Sequence, residues 1–172
     1  MSSWLTEQDF RDLRGDAAAW PGLTLNVAFL QDIKQDTEKP EEIISEIKSL
    51  LTDRLALKPA VLVNHLSRLR DELETYFALE EFYGYFKSAK LIQPRVSNRA
   101  ECLQSQHEQI YLDVCELVEL AESALYRESS LEQALPAIVA GFHSFVQNFN
   151  CHEQEEFDLM MQLCNQDIGV GD

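Results

Sequence analysis

The chain has 172 residues, 45% of them hydrophobic, with only 6 Gly and 5 Pro. That composition supports one continuous core and excludes a disordered chain. Acidic residues outnumber basic ones 30 to 14, for a net charge of −16. So negative a surface repels phosphate backbones and anionic lipids, which argues against nucleic acid and membrane as partners.

Cys102, Cys115, Cys151 and Cys164 form no C-x-x-C pair, so a zinc-finger or thioredoxin reading has no support. Reduced thiols serving as small core residues are expected, as in a cytoplasm. The opening Met1-Ser2-Ser3-Trp4-Leu5 lacks the basic and apolar regions of a signal peptide, and no apolar run approaches the roughly 20 residues of a membrane span. A cytoplasmic location is expected.

Thr6 with Asp9 resembles an N-cap and acidic first turn, predicting a short helix toward Arg14. A loop through Trp20-Pro21-Gly22 closes this leading unit, residues 1–22. Leu23, Leu25, Val27, Phe29, Leu30 and Ile33 then predict the first long helix. Pro40 removes a backbone donor and biases Lys39 away from helix, so that helix should kink or restart there. Ile43, Ile44, Ile47, Leu50 and Leu51 continue its spacing.

Pro59 suits the first turn of the second long helix, whose stripe is Val61, Val63, Leu66, Leu69, Leu73, Phe77 and Phe82, ending near Gly84 to Lys87. After a predicted loop through Gln93-Pro94-Arg95, Ser97 or Asn98 can cap the third. It carries Leu103, Ile110, Val114, Leu117, Val118 and Leu120 to about Tyr126. Ser129 and Ser130, with Glu132 and Gln133 three residues on, make overlapping capping boxes for the fourth, with Pro136 in or near its first turn. Phe142, Phe145, Val146, Phe149, Phe157, Met160, Met161 and Leu163 carry it on. Nothing reads as a strand. The expected fold is all-α, an antiparallel up-down four-helix bundle over residues 23–166 with a short N-terminal helix ahead and a tail at 167–172.

The residues with most chemistry are His152 and Glu156, in His152-Glu153-Gln154-Glu155-Glu156. Four apart on a helix, they share a face and can reach the same metal or adjacent metals. Tyr76-x-x-x-Glu80 repeats the spacing on the second helix, with tyrosine in place of histidine, and His107 lies on the third. The candidate ligand set is Asp36, Tyr76, Glu80, His107, His152 and Glu156. Carboxylates and imidazoles together suit iron or manganese. H-E-x-x-H would need histidine at Glu156, which excludes a zinc peptidase, and no Glu-x-x-His motif supports a ferritin-like oxidase.

At these residues the chain resembles the hemerythrin-like (HHE cation-binding) family. The matching stretches are Leu69 to Glu81, Gln106-His107-Glu108 and His152 to Glu156. The resemblance implies a four-helix bundle with a non-heme di-iron centre that binds dioxygen or another small ligand, or acts in sensing or storage. It makes His107, His152, Glu156 and Glu80 ligands. Tyr76 stands where the second helix's histidine is expected, and Tyr111 where some members have another. No histidine precedes His65, leaving Asp36 as the first helix's substitute. The cofactor implied is iron, one or two ions, with the intact half-site favouring one.

Plainer roles compete. His152 and Glu156 could lie on a solvated, glutamate-rich face, and Tyr76 reads better as a buried donor to Glu80 or Glu156 than as a phenolate. His143 is out of phase with His152, and His65 is about three turns from Tyr76, so neither should join the site. A metal-free bundle serving as an interaction or scaffold module is the alternative function.

Overall fold

The computed structural model describes residues 40–53, 57–83, 94–126 and 130–167. The expected short leading helix, the loop at Trp20-Pro21-Gly22, the helical stretch from Leu23 to Ile33, Asp36 and Ser129 lie outside the described residues. So does the tail beyond Asp167. The described chain forms four helices: α1 (Pro40–Thr52), α2 (Pro59–Tyr83), α3 (Pro94–Tyr126) and α4 (Leu131–Asp167). There is no strand among the described residues.

Three helices open on proline, where a missing N–H costs nothing because the first helical donors have no partner inside the helix. Pro40 is the first residue of α1, and whether the helix expected before it kinks or restarts there lies outside the described residues. Pro59 opens α2, and the Lys58 carbonyl accepts from the Val61 and Leu62 amides at 3.0 and 3.1 Å. Pro94 opens α3, so helix occupies the positions where a loop through Pro94-Arg95 and a cap at Ser97 or Asn98 were expected. At the head of α4 the Ser130 amide donates to Gln133 Oε1 at 3.3 Å, one arm of the expected capping box. Pro136 lies inside α4 beyond its first turn, with its ring exposed.

Consecutive helices pack on one another, α1 on α2, α2 on α3 and α3 on α4. The buried positions recur in alternating steps of four and three, the spacing of a helix seam facing its neighbours. On α3 they are Val96, Ala100, Leu103, His107, Ile110, Val114, Leu117 and Ala121. On α4 they are Ile138, Phe142, Phe145, Phe149, His152, Glu156 and Leu159. On α2, Leu62, Leu66, Leu69, Leu73 and Glu80 follow the same rule, with Phe77 beside them. A Cβ at Gly141 of α4 would lie 3.1 Å from Leu117 Cδ2, so glycine permits that close approach of α3 and α4.

Some residues differ from their expected places. Leu62 is buried where Val61 and Val63 are half-buried, and Leu120 is exposed. Cys102 and Cys151 are exposed thiols rather than core residues, and Cys115 is half-buried. No described helix is long and apolar enough to cross a membrane.

Candidate metal centre

Four polar residues occupy seam positions that would otherwise be apolar: Glu80 on α2, His107 on α3, His152 and Glu156 on α4. Their exposures are 3%, 3%, 1% and 6%, respectively, which removes the solvated-face reading. One donor atom each from Glu80, His107 and His152 lie within 4.8 Å of one another, as do donor atoms of His152, Glu153 and Glu156. The three helices therefore bring their polar seam residues to one level of the bundle.

The imidazoles are fixed from several sides. Phe77 stacks on His107 with ring centroids 4.2 Å apart and planes inclined by 11°, while His152 meets His107 edge-on at 4.8 Å and 75°. Glu80 and Glu81, consecutive on α2, reach opposite edges of the His107 ring. Glu81 Oε1 lies 3.0 Å from Nδ1, and Glu80 Oε2 lies 3.6 Å from Nε2. Glu81 is in turn held by Gln104 Nε2, which donates to its other oxygen at 3.2 Å.

His152 is braced from α3. Gln106 Oε1 lies 2.9 Å from His152 Nδ1, and Gln106 Nε2 donates to Glu155 Oε2 at 3.1 Å. Tyr76 completes the circuit by donating its hydroxyl to both oxygens of Glu153, at 3.3 and 3.2 Å. Each pair of helices among α2, α3 and α4 is thus tied at this level by a side-chain hydrogen bond.

Burial, followed by the nearby charges of Glu80, Glu153 and Glu156, raises the Tyr76 phenol well above its ordinary value. A phenol so held keeps its proton, in keeping with the donor role expected for it, and Glu153 is an acceptor that the sequence did not point to. Tyr111 is half-buried, its phenol raised first by desolvation and then by Cys115. His143 is exposed, and His65 bonds to the Val61 carbonyl at 2.8 Å and faces Glu46 of α1, so both stand apart as expected.

The donor set fits a first-row divalent ion. Ligand atoms about 2.0–2.2 Å from such an ion stand no more than about 4.4 Å from one another. Three donors spread by as much as 4.8 Å would each have to move inward by up to roughly 0.7 Å, which side-chain torsions can supply. Two imidazoles with carboxylates suit iron or manganese better than calcium or magnesium, which prefer oxygen throughout.

Sequence reasoning did not single out Glu81, Gln104, Gln106, Glu153 or Glu155. A partial signal existed for Glu81 and Gln106, since each adjoins a seam residue and so projects about a quarter-turn to its side. No protein-family model, curated protein or solved structure matches this chain.

Proposed function

We propose that this protein is a hemerythrin-like metal-binding bundle that holds one non-heme iron ion through Glu80, His107, His152 and Glu156. The observation that carries the reading is the burial of these four side chains on three helices, with donor atoms of Glu80, His107 and His152 within 4.8 Å of one another and Glu156 joined to His152 in a second such group with Glu153. Antiparallel, up-down order goes with it. The five Cα–Cα steps from Tyr126 to Leu131 span at most about 18 Å, whereas α3, with 33 residues, is about 50 Å long, so α4 cannot return to the start of α3 before setting out.

One ion rather than two is the stoichiometry the side chains favour. Both candidate groups draw on His152, whose Nδ1 is engaged by Gln106, and its single remaining nitrogen can serve one ion. An ion held by three or four of these side chains would keep exchangeable positions for water, dioxygen or another small ligand, which suits sensing, storage or small-molecule handling. A bound iron would supply that exchangeable coordination and its redox chemistry. The protein's own groups would position the ion, and Phe77, with its ring 4.2 Å from that of His107 and 5.8 Å from that of His152, would shield it from bulk water.

A metal-free interaction module is the second reading, and the His107–Glu80 spacing favours it. At 3.6 Å a protonated imidazole would balance the buried carboxylate without a cation.

Metal analysis of protein expressed with iron supplied, joined to melts with iron and with chelator, decides between them. The iron protein should carry about one ion per chain. It should melt higher with iron than with chelator, because the ion binds only the folded state. His152→Ala should abolish that difference. A parent indifferent to both additions, with a destabilised His152→Ala variant, would assign the cluster to a metal-free core.

A further inference from the structure

Both histidines meet their neighbours in a pattern with a direct consequence for where their protons sit. Ionised Glu155 can only accept hydrogen bonds, so the end of Gln106 that faces it is the amide NH2 group, 3.1 Å away. The other end, 2.9 Å from His152 Nδ1, is then the carbonyl oxygen, which also only accepts. His152 Nδ1 must therefore carry a proton and donate it. The same holds at His107, where Nδ1 lies 3.0 Å from a Glu81 oxygen whose partner oxygen accepts from Gln104. In the neutral ring, a proton on Nδ1 puts the lone pair on Nε2. Both Nε2 atoms are buried, and that of His107 is turned toward Glu80.

We infer that Glu81 and Gln106 are positioning residues that hold His107 and His152 in the Nδ1–H tautomer, so that both Nε2 lone pairs are presented to a divalent cation. The inference rests on the metal-site reading for the cation alone; the tautomers follow from the hydrogen bonds. The two braces differ in kind. Glu81 is a charged acceptor and makes His107 the more electron-rich donor. Gln106 is a neutral amide whose orientation depends on Glu155. Neither residue touches the proposed ion, and each acts through a ring on a neighbouring helix. An outward hydrogen bond of this kind both orients a ligating imidazole and raises its basicity.

Both braces lie toward the surface, Glu81 with 40% of its side chain exposed, so replacing them leaves the core intact. The test has two arms. The first is nitrogen NMR of the metal-free protein, with the neutral rings of His107 and His152 identified by removing His65 and His143. The parent should show both rings protonated at Nδ1. Glu81→Leu should release His107 alone into a tautomer mixture, and Gln106→Leu should release His152 alone. Glu81→Gln, whose amide oxygen still accepts, should keep His107 in the parent form.

The second arm is anaerobic titration with Fe2+, and with Mn2+ as a redox-silent probe. Each leucine variant should bind about 10–100-fold more weakly than the parent, with Glu81→Gln between. A parent ring protonated at Nε2, or leucine variants with unchanged tautomers, overturns the inference. A parent with both rings protonated at Nδ1 that takes up neither ion supports the tautomer lock and retires the metal reading instead.

Discussion

The residue that departs most from a histidine ligand set, Tyr76, is also the one whose proton is best defined. Its hydroxyl ties α2 to Glu153 of α4, and burial with three nearby carboxylates holds the phenol protonated. Its folded pKa is raised above the ordinary value of 10.0, so the stabilisation is fully present below pH 10.0 and is lost as pH rises through the folded value. Tyr76→Phe should cost on the order of 1 kcal/mol near neutral pH and should shrink the alkaline loss of stability. Denaturant melts of parent and variant at neutral and alkaline pH check both. Equal alkaline slopes would mean that Tyr76 titrates like a free phenol. The i, i+4 spacing made His152 and Glu156 legible as one face. The acceptor of Tyr76 was not legible, because it depends on the level at which α2 meets α4.

At the scale of the helix, the seams of α3 and α4 run unbroken through the polar layer. On α4 the four-three alternation passes from Phe145 and Phe149 through His152 and Glu156 to Leu159. Polar residues on an apolar seam must be satisfied, and the apolar residues around them set how rigidly they are held. Phe149→Ala should cost about 3–5 kcal/mol, measured by urea unfolding, because the ring is fully buried and packs on Phe145 with centroids 6.0 Å apart. Gly141 lies farther toward the start of α4. Gly141→Leu should destabilise by about 1–3 kcal/mol through Leu117, leaving metal affinity nearly unchanged if the polar layer behaves as a local site. A loss of binding in Gly141→Leu matching that of His152→Ala would instead tie the site to the packing of the whole α3–α4 seam.

Over the whole molecule, a net charge of −16 opposes compaction and attracts cations without any particular site. Raising monovalent salt from about 0.01 to 0.15 M shortens the screening length from about 30 to 8 Å, so the metal-free protein should melt higher in the saltier buffer. A specific iron site predicts a further rise with Fe2+ or Mn2+ at the higher salt that an equal concentration of Mg2+ does not reproduce. Identical responses to the three ions would reduce the effect to screening. The all-α class, the helix starts at Pro40 and Pro59 and the His152-x-x-x-Glu156 face were fixed by periodicity and proline alone, since these are local properties of the chain. That Glu81 bonds His107, that Gln106 braces His152 and that Glu153 receives Tyr76 were decided only in three dimensions. Each depends on the level at which two helices meet, and that level is set by the packing of seams distant in sequence.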